Sequence, residues 1–213
     1  MNVFYKNLVL LLISPQVFFR NHKESSLKSM PLFIPVFIIL LVSIGIDRLE
    51  KSIQVQALSE NPILYTTWKS YFVMLIAASS IWWIIGYYIY TWFYNVRIRR
   101  SGGEDSPMYA KKIYLYSYIF IGFSYISILF FEYLFYNSPI DVYYQNMKNG
   151  STLKMSIEAI LYIVFILAYL HSLFISYKAV MLVPNIKKWR TLFWFVVFPI
   201  LFLSIWILSG FIL

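Results

Sequence analysis

Residues 113–135 read IYLYSYIFIGFSYISILFFEYLF, and this run decides what class of molecule the chain is. It holds one charged residue, Glu132. As a helix rising ~1.5 Å per residue, the run is about 34 Å long, enough to cross the ~30 Å hydrocarbon core of a bilayer. Apolar residues are continuous through it rather than alternating with polar ones, so it reads as a helix and not as a barrel strand.

Four more runs of the same kind flank it, at residues 31–46, 71–94, 157–175 and 192–213. The first is a little short and extends through Met30. Composition agrees: of 213 residues, 61% are apolar and 21% aromatic, and only 13% are charged, against about 25% in an ordinary soluble domain. A soluble domain of this length leaves roughly 30% of its unfolded surface exposed and could not hide so much apolar area. The expected fold is therefore an all-α membrane protein: five transmembrane helices in a single integral domain over residues 1–213.

Residues 2–13 are apolar but too short to span, and Ser14-Pro15 ends any helix there. Residues 2–20 are expected to form an interfacial segment, a short N-terminal helix lying on the bilayer. In this reading Val17, Phe18 and Phe19 dip into the headgroup boundary as anchors, with Arg20 and Lys23 on the polar side.

The charges give sidedness. The formal net charge is +9, from 18 basic and 9 acidic residues. Thirteen of the eighteen basic residues fall before the first run, between the second and third, and between the fourth and fifth. The positive-inside rule then places the N-terminus in the cytoplasm and the C-terminus outside. Arg97, Arg99 and Arg100, with Lys187, Lys188 and Arg190, are expected to form a cytoplasmic surface for lipid headgroups or a partner. Topology accounts for the basicity, so no nucleic-acid partner is expected.

Reactive chemistry is scarce. The chain has no cysteine and two histidines. No Walker loop, nucleophile elbow or metal-ligand spacing is present, so the reading is of a non-enzyme without cofactor or metal. Ionisable residues in the apolar runs are functional candidates by default. Glu132 and Glu158 fall near the outer ends of the third and fourth runs. His171 lies well inside the fourth, where a neutral imidazole can donate to a carbonyl or a Tyr hydroxyl on a neighbouring helix. A small transporter or channel using Glu132, Glu158 and His171 is the alternative function.

The layout resembles the bacterial branch of the Yip1 family. The matching features are the N-terminal apolar segment closing in Ile13-Ser14-Pro15 before Phe18-Phe19, and Pro31 heading the first span. Ser101-Gly102-Gly103 then precedes a third span that opens with Tyr114, Tyr116 and Tyr118, and residues 173–179 run into a basic loop. The resemblance implies a five-span protein of the bacterial plasma membrane without defined catalytic residues. It implies a role as scaffold, membrane organiser or accessory subunit for a membrane partner, such as an efflux or trafficking complex. A membrane-protein partner or a homodimer is expected beside the lipid bilayer.

Overall fold

A computed structural model describes residues 3–58, 67–137, 139 and 152–210. Side chains are described for all of these except residues 4, 54–58, 85, 152–158 and 206–210. Among the described residues the helices are α1 (Val3–Ile13), α2 (Pro15–Asn21), α3 (Phe33–Leu58), α4 (Trp68–Arg100), α5 (Pro107–Ser117), α6 (Ile119–Phe135), α7 (Thr152–Val180), α8 (Lys188–Leu192) and α9 (Phe198–Gly210). A π-turn, Phe193–Val197, joins α8 to α9.

Four helical stretches are long and apolar enough to cross a membrane: Trp68–Arg100, Pro107–Phe135, Ala159–Val180 and Lys188–Ile205. The expected first span is not among them. In α3 only residues 33–46 are free of charge before Asp47, Arg48, Glu50 and Lys51. Fourteen residues give ~21 Å of helix, short of a ~30 Å core. The charges do not end the helix, because Lys51 pairs with Asp47 one turn back at 2.8 Å.

The chain divides into two compact units. The first comprises residues 1–36, 88–118 and 170–213, and here the N-terminal segment is corrected in two respects. It is two helices, since Ser14 breaks the run and Pro15 restarts it at the first helical turn, where its missing N–H costs nothing. It is also packed into protein: Leu11, Phe18 and Phe19 are fully buried. Phe18 lies 5.3 Å from the Tyr116 ring, and Phe19 lies 6.2 Å from Tyr109. Tyr116 Oη donates to Pro31 O at 2.7 Å, and Tyr109 Oη to Ala179 O at 2.9 Å. These tyrosines reach along the unit to carbonyls that no helix satisfies.

The second unit comprises residues 37–87 and 119–169. Ile46, Leu49, Ile53, Tyr71, Leu75 and Leu129 form its core. Two glycines let helices approach closely, a recurrent device between membrane helices. A Cβ on Gly45 would collide with Ser79 and Leu75, and one on Gly122 with Ile39. Trp68 Nε1 donates to Tyr136 O at 2.9 Å, closing the end of α6. Tyr125 Oη donates to Asp47 Oδ1 at 3.0 Å. Tyr125→Phe is expected to lower stability by about 1–2 kcal/mol, because it removes a hydrogen bond to a charged acceptor; denaturant unfolding in micelles measures it.

Candidate functional site

The basic residues assigned to one surface divide into two kinds. Arg97 is only 4% exposed, which corrects its place on a headgroup or partner surface. Its Nε donates to Trp194 O at 2.7 Å, and its guanidinium lies 4.2 Å over the Phe195 ring. Arg99, Arg100, Lys187 and Lys188 are exposed, and Arg190 is half-buried with its guanidinium over Trp189.

The fold brings the exposed four together. Lys187 N–H donates to Ser101 O at 3.0 Å, joining the loop after α4 to the loop before α8. Close contact demands unusual backbone on both sides: Gly102 has φ 92° and Asn185 has φ 61°. A Cβ on Gly102 would sit 3.3 Å from Asn185 O, so glycine serves both the angle and the approach. The two acids of the loop have amide partners, Glu104 with Asn185 Nδ2 and Asp105 with Asn95 Nδ2. Asn95 Oδ1 also accepts the Ser106 N–H at 3.1 Å, fixing the start of α5.

The membrane-anchoring group divides in the same way. Val17 is 41% exposed and Arg20 is exposed, but Phe18 and Phe19 are not. On a helix as short as α2, adjacent residues point about 100° apart, and the wide apolar side is taken up by Tyr109 and Tyr116. The anchoring expectation is therefore corrected for the two phenylalanines.

Lys112 was counted among loop charges, yet it is 3% exposed. Its Nζ donates to Lys23 O at 2.7 Å and His22 O at 3.2 Å, carbonyls at the C-terminal end of α2. A cation there supplies a donor to Lys23 O, shares His22 O with the Ser25 N–H, and meets the negative end of the helix dipole. Burial, together with the Lys112 charge, holds His22 below its ordinary value of 6.5. The unfolded chain thus takes up this proton at higher pH than the folded one, so the contribution is present above ~6.5 and fades below it. Lowering the pH from about 7.5 to 5.5 is expected to speed hydrogen exchange in residues 15–25, after correction for intrinsic rates. His22→Gln is expected to flatten that dependence.

His171 is half-buried in the first unit, 5.9 Å from Phe174. Its ring N–H is hydrogen-bonded to the Leu12 backbone carbonyl, near the end of α1. Glu132 is half-buried in the second unit, close enough to Glu50 for the carboxylates to repel. The Glu158 side chain lies outside the described residues. Among the described residues, no three His, Asp or Glu side chains are grouped to hold a metal ion. Sequence reading missed Lys112 and Glu50. Glu50 carried a signal, since it follows Asp47 by three residues and shares its helical face.

No protein-family model, curated protein or solved structure matches this chain.

Proposed function

We propose that this is a non-enzymatic, multi-pass scaffold of a membrane, akin to the Yip1 family, that works through its basic loop surface. The observation that carries this reading is the division of labour among the cations. Arg97 and Lys112 are spent on backbone carbonyls inside the first unit. Arg99 and Arg100 at the end of α4, and Lys187 and Lys188 at the start of α8, are exposed, and the two helix ends are joined by the Lys187–Ser101 hydrogen bond. In this reading α3 is a fifth, short span, the N-terminus is cytoplasmic, and the surface meets anionic headgroups or the flank of a membrane partner. Exposed Trp189 beside Arg190 suits the same boundary, where an indole sits at headgroup level.

The test is lipid retention by the full-length protein in nanodiscs of mixed phosphatidylglycerol and phosphatidylcholine, read by native mass spectrometry. Each cation near an anionic surface contributes about 1 kcal/mol. Replacing the four exposed cations by glutamine is expected to reduce retained phosphatidylglycerol on the order of tenfold or more. Equal retention by both proteins would sink the headgroup reading. The second reading, a small transporter, draws support from the Glu50–Glu132 proximity in the second unit. Proton or cation flux in reconstituted vesicles that disappears in Glu132→Gln is its signature.

A further inference from the structure

The helix that follows Lys188 contains an irregularity that its own sequence creates and a side chain from α4 completes. Between Phe193 and Val197 the backbone is a π-turn, and the Phe198 N–H donates to Phe193 O, five residues back. The carbonyl four back, Trp194 O, is passed over. The next residue that could serve it is Pro199, which has no N–H. Trp194 O is therefore skipped by one residue and cannot be reached by the next. Arg97 Nε supplies the donor at 2.7 Å. The guanidinium is boxed by Phe195 at 4.2 Å, Tyr94 at 5.0 Å and Phe93 at 5.5 Å from the ring centroids. Phe195 is fully buried, so the box opens to protein and not to water.

A regular α-helix through the same residues would return the Phe198 N–H to Trp194 O. Arg97 Nε would then compete with the Phe198 N–H for that oxygen instead of being its sole donor. The π-turn takes up one residue more than an α-turn, and one residue corresponds to ~100° of rotation and ~1.5 Å of rise. The two arrangements differ by a single hydrogen-bond exchange yet aim everything after Val197 in different directions.

We propose that Arg97 is a register lock for the last helix: bound to Trp194 O, it holds the π-turn and thereby sets which face residues 198–205 present. With the lock in place, Leu201, Phe202 and Ile205 are the exposed apolar residues among the described side chains of α9. Without it, Phe198 reclaims Trp194 O and the segment turns by about one residue. The lock lies within one turn of Arg99 and Arg100, although it does not depend on what that surface binds.

The chain has no cysteine, so single cysteines can be placed at each position from 198 to 205 and spin-labelled in the full-length protein. The probe is molecular oxygen, which partitions into lipid, with the protein in phosphatidylcholine vesicles. In the parent chain the accessibility profile is expected to peak at 201–202 and at 205. In the Arg97→Met background, which keeps the stem but has no donor, the peaks are expected to move by one position. Deleting Val197 from the Arg97→Met chain removes the extra residue and is expected to return the peaks to their original side chains. An unshifted profile in a folded Arg97→Met protein overturns the proposal. If Arg97→Met does not fold, the deletion in that background decides: recovered folding supports the lock, and failure of both makes Arg97 a packing residue only.

Discussion

Replacing Lys112 with methionine is expected to destabilise the first unit by about 3 kcal/mol. Methionine keeps the length and apolar stem of lysine, so packing is nearly conserved. It leaves Lys23 O without its donor, and His22 O with only the Ser25 N–H at 3.3 Å, at a site that is 3% exposed. Hydrogen bonds to a charged partner are worth about 1.5–3 kcal/mol each, and buried acceptors left unmet cost about 1–3 kcal/mol. The loss is expected to appear in denaturant unfolding in micelles and as faster proteolysis around residues 15–25. Lys111→Met is the control: Lys111 is half-buried with Nζ 6.0 Å from the Tyr88 ring, and its loss is expected to cost no more than about 1 kcal/mol. Equal effects at both positions would mean that Lys112 acts through charge alone and not as a cap.

The other large effect is expected at Gly122. A Cβ there collides with Ile39 Cγ2 and lies 3.4 Å from both Ile39 O and Ser43 Oγ. The Ile39 methyl must give way to a Cβ, and because backbone already stands at van der Waals contact, a side chain longer than alanine must push α3 and α6 apart. Overpacking a close crossing costs about 1–3 kcal/mol and occasionally more. Gly122→Ala is expected near the middle of that range and Gly122→Leu at or beyond its top. Ile39→Ala removes the first colliding atom, so in the Gly122→Ala background it is expected to cost less than it does alone. A double-mutant cycle on unfolding free energies measures this coupling. Additive losses would show that the helices do not meet at Gly122 as closely as described.

The helical class was readable because 23 consecutive residues with one charge admit few other readings, and helices occupy each of the five apolar runs. What could not be read was direction. Val17, Phe18 and Phe19 are equally apolar on paper, but only the first is exposed; the tyrosines that cover the other two come from ninety residues later in the chain. Lys111 and Lys112 are likewise indistinguishable until α5 sets one beside the end of α2. Pro199 was legible as a helix breaker, whereas its partner, Arg97, was hidden in a run of basic residues that topology already explained. The α3 charges were visible, but the salt bridge at Asp47–Lys51 that carries the helix through them depends on the helix being there.

The capture of α1 and α2 by Lys112 and His171 also orders events at the ribosome. The two N-terminal helices are made first, but the side chains that receive their last carbonyls come about 90 and about 160 residues later. At ~5–20 residues per second, the leading segment waits roughly 5–30 s before it can dock. During that interval Phe18 and Phe19 have no tyrosines to cover them, and the nascent chain presents them to whatever insertase or chaperone stands at the exit.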